Sequence, residues 1–504
     1  MGIDPFMKKL FILLLIPLSV FISCSRRTEI SGPVTELRYG VTSEPSTLDP
    51  LSPSNSADGN SILFNVFEGL VKPDTGGNLL PCLAELAKSE DSGRIYSFRL
   101  RENVFFHDGS VLTSDDVLFS LETAKEAGFS GFNIIEYIET DGSLIHVVLS
   151  KKDPDFLPYL TVGIVKANSV NRDKNAVGTG PYFIESYNTM QSLVLRKFDN
   201  YWQDNIPNLE KITVVFFADS DALVLGLYAG SIDGAGLPGA LAMQLNPERF
   251  DLFPGFSAMV QLLALNNAVP PFNDIRVRQA INYGIDIQGI IDAAFYGKGE
   301  PSGSPLIPGL SAYYEKSLAD PYPADKKKAL TLLEEAGYGD FSGLQKLSLT
   351  ITVPSNFTMH VDTAQVISAQ LAGIGVNANI ALVDWATWLS DVYFGRNYQS
   401  TIISLNSPNT SAANFLSRYH SGSMNNFINF SSGDFDSVFE MILSEADEEK
   451  RMVLHKEAQK IISDSAASVF IQDILGFQAF RAGAYGGVLF YPLYVIDFAR
   501  MYGK

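Results

Sequence analysis

Two hydrophobic periods alternate along the chain. Within residues 94–112, Tyr96, Phe98 and Leu100 trade places with Ser97, Arg99 and Arg101, which predicts a strand with one wet face. Comparable runs predict strands at 37–41, 145–149, 193–196, 211–217, 347–353 and 376–382. Apolar residues at helical spacing predict helices at 62–70, 219–229, 274–294, 324–336, 360–371 and 435–464, and another opened by Thr113. Asp115 and Asp116 fall in the first turn of that helix, where short acidic residues satisfy free amides and suit the dipole. Gly337 closes 324–336, where a left-handed residue is needed. The strand, helix, strand order from 347 to 382 predicts a mixed sheet with helices packed on it. The fold class is α/β, with at least two lobes.

The longest apolar run stands near the start. Lys8 and Lys9 precede an apolar stretch at 10–22, broken only by Pro17 and Ser19. At a rise of about 1.5 Å per residue it falls short of a hydrocarbon core of about 30 Å, so residues 7–23 read as a secretion signal. Residues 1–6 read as a vector-derived scar. The signal ends in Phe21-Ile22-Ser23-Cys24, which resembles the lipobox of bacterial lipoproteins. That resemblance implies a diacylglycerol on the Cys24 thiol and a tether over residues 24–34. The only other cysteine, Cys82, follows Pro81 in an apolar stretch and reads as a small core residue, which leaves no intramolecular disulfide. No later run reaches the 18 or so apolar residues that a membrane span needs.

Composition narrows the function. A chain of 504 residues favours two or three domains, and 46% hydrophobic content is ample to bury them. A net charge of −19 repels phosphate backbones, so nucleic acid is not an expected partner. No nucleophile elbow and no phosphate-cradling glycine loop occurs, so no catalytic residue is assigned. The five histidines, His107, His146, His360, His420 and His455, are dispersed, so neither a resident metal nor a cofactor is expected.

Seven blocks then occur in order. They are Glu44-Pro45-Ser46-Thr47-Leu48-Asp49-Pro50 with Phe67-Glu68-Gly69-Leu70; Tyr96 to Arg101 leading into Phe106-His107-Asp108-Gly109; Ser114-Asp115-Asp116-Val117; Gly178-Thr179-Gly180-Pro181-Tyr182 before Asn200-Tyr201-Trp202; Pro271 to Ala280, ending at Ile285-Asp286; Leu332 to Tyr338; and Asp384-Trp385. Taken together they resemble the peptide/nickel-type solute-binding proteins of family 5. The resemblance implies a two-lobed periplasmic-binding-protein clamp, type II-like, with an extra β-rich subdomain at 71–177. Lobe 1 would comprise 35–268 plus 478–504 and lobe 2 would comprise 269–477, with hinges near 266–271 and 473–478. It also implies a monomeric substrate-binding component of an ABC importer, working with permease subunits outside the cytoplasm and held to the membrane only by its lipid. The cargo would be an oligopeptide or a peptide-like or cationic solute gripped between the lobes.

The same resemblance directs attention to particular residues. Trp385 matches the family's pocket tryptophan, and aromatic rings suit a pocket because they offer area at small entropic cost. Peptide binders hold the ligand ammonium on an aspartate a few residues before the position of Phe415. Counting back places Pro408 there and Leu405 at a neighbouring tryptophan, with Asn406 and Asn409 as the nearby polar contacts. Helix 360–371 lacks the arginine that dipeptide binders use. Gln472 and Asp473 interrupt an apolar run near the second hinge, where Asp473 could be a relocated cation anchor or a structural ion pair. Asp58 lies in a loop at the cleft mouth. Two alternatives stand beside the importer reading: an adhesin or chaperone-like surface lipoprotein, and a binder of a metal chelate such as a nickel complex, with His360 or His420 contributing a ligand.

Overall fold

The computed structural model describes residues 34–53, 57–75, 77–91, 93–339, 345–406, 411–491 and 495–504. The secretion signal, Cys24 and Asn409 lie outside the described residues. In chain order, the elements that position the site begin with β1 (Glu36–Val41), α1 (Ala57–Leu63), β2 (Ala84–Glu90), β3 (Ile95–Leu100), α2 (Ser114–Glu126), β4 (Ile135–Asp141), β5 (Leu144–Leu149), β6 (Tyr182–Asn188), β7 (Ser192–Lys197), β8 (Lys211–Phe216), α3 (Ser220–Ala229) and β9 (Gly234–Pro238). They continue with β10 (Phe250–Leu265), α4 (Ile275–Gly284), α5 (Ile287–Phe295), α6 (Lys326–Glu335), β11 (Ser348–Pro354), α7 (Thr358–Ala372), β12 (Asn377–Val383), β13 (Ser400–Asn406), α8 (Ala412–Ser417), α9 (Gly433–Ser444), α10 (Glu448–Asp464) and β14 (Ser468–Arg481).

One mixed sheet runs in the order β12-β11-β13-β10-β14-β9-β1-β8-β7-β6, and a separate four-stranded sheet runs β2-β3-β5-β4. The long antiparallel pair β10 and β14 stands at the centre of the large sheet. Phe250 to Phe256 pair with Arg481 to Leu475, and Val260 to Ala264 pair with Asp473 to Ser468. Between these halves residues 257–259 stand opposite Ile474 alone, and Ala258 has a φ of +56°. A bulge of this kind bends a strand and sharpens its twist.

The apolar side chains divide at that bulge. Phe250 of β10 and Phe477 and Ala479 of β14 pack with α3 and β9, while Phe480 joins a larger core with β1, β3, β5, β7, β8 and the C-terminal Phe498 and Met501. Beyond the bulge, successive residues of β10 serve opposite faces. Val260, Leu262 and Ala264 pack with α8, α9 and α10, whereas Leu263 and Leu265 pack with α4, α6 and α7. Each half of the sheet thus has its own covered core, and the molecule is a two-lobed clamp.

Several of the family blocks meet at one buried carboxylate. Glu68, 3% exposed, accepts from Tyr201 Oη at 2.7 Å, Trp202 Nε1 at 2.9 Å and Thr179 Oγ1 at 3.1 Å, and Cys82 Sγ lies 3.6 Å away. Gly178 and Gly180 are required beside it, because a Cβ on either would lie 2.0 Å or 2.7 Å from the Val66 carbonyl oxygen. These blocks build a core.

The strands match the sequence pattern closely, and the helices differ at their ends. The helix expected at 62–70 is α1, which stops at Leu63. The Leu70 amide donates to Leu160 O, and Glu68 O accepts from the Ile164 amide, so this backbone is bonded outside a helix. Residues 274–294 form two helices because Asp286 caps a second start, accepting from the Gly289 amide at 3.0 Å. Asp447 likewise divides 435–464 by accepting from the Lys450 amide at 3.1 Å.

Candidate functional site

Parallel strands dictate where the cleft lies. β1 runs parallel to β8 and β9 in one lobe, and β11 runs parallel to β12 and β13 in the other. In open α/β sheets ligands bind outside the carboxyl ends of such strands. A cavity of about 360 Å³ opens there. One wall consists of Val41 and Thr42 from the end of β1, Pro238 and Gly239 from the end of β9, and Ser220 at the start of α3. Opposite stand Thr358, Met359 and Asp362 in the first turns of α7, with Phe295 at the end of α5 and Lys298 just beyond it. Ile474 to Gln478 of β14, at and beyond the bulge, also line the space, so the crossing strand forms part of the site.

Tyr39 and Gln478 are buried polar groups in this wall. Tyr39 Oη donates to Gln478 Oε1 at 2.6 Å, and its ring meets Phe498 edge-on at 5.3 Å. Burial raises the Tyr39 phenol well above its usual range, so it stays a neutral donor. Gly236 leaves room for this pair, since a Cβ there would lie 3.3 Å from Gln478 Nε2 and 3.4 Å from Tyr39 Oη.

Charge on the walls is sparse. Asp58 borders the cavity from α1, but its carboxylate already accepts from the Ser43 amide at 3.0 Å and the Ser43 hydroxyl at 2.9 Å. Lys298 and Asp362 are exposed, and neither has an ion-pair partner among the described residues.

The other expected site residues are distributed around this space. Trp385 is 40% exposed and lies outside the cavity lining, at the carboxyl end of β12. It stacks on Trp388 at 5.1 Å with an interplanar angle of 5°, and meets Phe357 edge-on at 5.5 Å, just before α7. Asp384 fixes this turn by accepting from the Thr387 amide and hydroxyl at 3.0 and 2.7 Å. Leu405 is buried in the α8–α10 core, and the Asn406 carbonyl accepts from Arg418 Nη2 at 2.8 Å.

Gln472 and Asp473 are fully buried, one step before the residues of β14 that line the cavity. Asp473 Oδ1 accepts from the Met259 amide at 3.3 Å, inside the bulge. Gln472 Nε2 donates to Gln261 Oε1 at 2.8 Å, and Gln261 Nε2 reaches His360 Nδ1 at 3.1 Å and Thr363 Oγ1 at 3.0 Å. This chain ties the central strands to the buried face of α7, whose other face borders the cavity. Burial lowers His360 to about 4, which keeps it neutral. Sequence reasoning missed Tyr39, Lys298, Asp362 and Gln478. Only Lys298, just past the end of α5, carried a positional signal; Tyr39 and Gln478 lie within strands and Asp362 within α7.

The residues 78–427 match the model of the bacterial extracellular solute-binding proteins, family 5, middle region. The chain belongs to this family. The solute-binding protein is 27% identical over 461 residues to heme-binding protein A of Haemophilus influenzae, covering 83% of each chain. It is 26% identical to the dipeptide-binding protein of Escherichia coli, covering 82% of this chain and 84% of that one. Its fold matches the ABC transporter substrate-binding protein CtaP of Listeria monocytogenes with a TM-score of 0.80 at 23% identity, over 94% of this chain and 100% of the other. The solute-binding protein is the ligand-capturing component of an importer, and its cleft is the place to seek the ligand.

Proposed function

We propose that the importer's cargo is a small, largely apolar solute with a charged end, of peptide-like character, held in the cavity between the strand ends. The observation that carries this reading is the lining itself. Apolar side chains and backbone dominate it, with Lys298 and Asp362 as its unpaired charges among the described residues. Apolar walls supply affinity, while a few placed polar groups set orientation and specificity. A zwitterion or a cation satisfies Asp362, and a carboxylate satisfies Lys298. The relatives named for dipeptide and for heme mark the two chemistries to compare first.

Closure then works by differential contact: a ligand touching both walls stabilises only the state in which they are near. The bending points are the bulge at 256–259 of β10 and the facing 473–475 of β14. On this reading lobe 1 runs from 35 to about 256 and from about 475 to 504, with the β-rich subdomain at 71–177, and lobe 2 lies between, so the first bending point falls before the hinge expected near 266–271. The chain acts as a monomer, is exported and carries its lipid on Cys24. Native mass spectrometry of the purified protein tests the cargo. A retained ligand of a few hundred daltons with an amine supports the reading, and no displacement of it by dipeptides overturns the peptide-like class. Mass analysis of the Cys24 peptide from membranes tests the lipid.

A further inference from the structure

The two lobes meet at a second place, through residues that do not line the cavity. Asp155 and Tyr159 belong to a loop fixed on the four-stranded sheet. Phe156 is fully buried there, packed against Tyr96 at 5.5 Å and Tyr159 at 5.7 Å, and Tyr96 Oη donates to Asp153 O at 2.6 Å. From this rigid mount the Asp155 carboxylate accepts from Ser411 Oγ at 2.5 Å and from the Ala413 amide at 3.1 Å. Beside it Asn414 Nδ2 donates to Tyr159 Oη at 3.0 Å. The partners are more than 250 residues apart and belong to different cores.

A charge argument points the same way. Arg451 of α10 is 8% exposed, and His455 is fully buried one turn further on. Arg451 Nε and His455 Nε2 have no hydrogen-bond partner among the described residues, and Asp155 acts electrostatically on both. Asp155 makes no ion pair with Arg451, whose Nη1 donates to Glu445 O at 3.3 Å, but its negative charge favours the buried guanidinium from nearby. Separating the lobes at this point withdraws Asp155 from Arg451 and breaks three hydrogen bonds at once.

We infer that Asp155, with Tyr159, is a clasp that holds the lobes together independently of the crossing strands and without touching the ligand. The inference rests on the closure reading above. The clasp sets the population of the closed form, and through it the apparent affinity.

The test uses the full chain without ligand, comparing wild type with Asp155→Ala, Asp155→Asn and Tyr159→Phe. Small-angle X-ray scattering reports the radius of gyration, and hydrogen–deuterium exchange reports 411–417 together with the cavity segments 236–240 and 358–362. In Asp155→Ala the expected result is a larger radius and roughly tenfold faster exchange in the cavity segments as well as in 411–417, as the loss of a charge-assisted hydrogen bond predicts. Asp155→Asn keeps an acceptor and falls between, and Tyr159→Phe shows a smaller effect of the same kind. Faster exchange confined to 411–417, with an unchanged radius, overturns the clasp. If Asp155→Ala does not fold, Tyr159→Phe decides by the same readouts. The closure reading is judged separately, by whether a glycyl-leucine dipeptide or hemin compacts the wild type.

Discussion

The indole of Trp202 donates to the buried carboxylate of Glu68 across 134 positions of sequence, and Tyr201 donates to the other oxygen of the same group. Burial raises the pKa of Glu68, while the positive charge of Lys72 and the donors Tyr201, Trp202 and Thr179 work against that rise. The cluster ties the loop after α1 to the segment after β7. Glu68→Gln turns one acceptor into a donor that faces Tyr201 or Trp202. The expected loss is about 1–3 kcal/mol of stability, read by denaturant unfolding. An unchanged midpoint would show that the cluster is not strained by losing an acceptor.

Trp385 lies outside the cavity lining, stacked on Trp388 and backed by Phe357, which directly precedes the lining residue Thr358. Trp385→Ala removes an exposed ring and leaves Trp388 held by its bond to Thr401 at 2.9 Å. We expect affinity for a ligand identified by native mass spectrometry to fall about tenfold while the melting midpoint moves only a few degrees. Calorimetric titration checks the first and thermal melting the second. Equal affinities would remove Trp385 from the site.

Lys298 and Asp362 offer a reading of ligand charge. Asp362→Asn weakens capture of a ligand bearing an amine, and Lys298→Met weakens capture of one bearing a carboxylate. A zwitterion responds to both. Each loss is expected at about 0.2–1 kcal/mol because the side chains are exposed and screened. Competition assays with charge-blocked dipeptides separate the cases, and indifference to both substitutions would move the charged end of the ligand elsewhere.

Asp153 supplies a pH signature. Burial, with Asp155 adding to it, raises Asp153 to about 6. An acid whose folded pKa lies above its unfolded value stabilises the fold at low pH, and that contribution is lost as pH rises through the folded value. The advantage of Asp153→Asn over wild type should therefore grow between about pH 4 and pH 6 and level off above. The measurement is the difference in melting midpoint across that range, and a flat difference would exclude the shift.

The strands of both lobes were legible in the sequence because alternation is a local signal. Residues 211–217 and 376–382 read almost as they fold, and Asp219 caps α3 as its position suggests. Local signals failed where distant partners decide. The backbone of Phe67 to Leu70 looks helical, yet it bonds to residues around 160–164. The sixteen residues of β10 carry no simple alternation, because one half serves one lobe, the other half serves the second, and a bulge lies between. For the cavity, spacing had no information about which side chains the two halves of one sheet bring together. Resemblance pointed to Asp58, which lines the cavity, and to Trp385, which does not, whereas Tyr39 and Gln478 come together only when the first strand meets the last long one.

That meeting has a further implication for how the polypeptide is made. β9 pairs with the far end of β14, Asn65 donates to the Ile496 carbonyl at 3.0 Å, and Phe498 donates back to Asn65 at 2.9 Å. The opening half of the molecule is therefore missing a wall until the closing residues leave the ribosome. A chain cut short before these residues is expected to leave the first lobe incomplete, which proteolysis of a C-terminally truncated variant would read as easier cleavage.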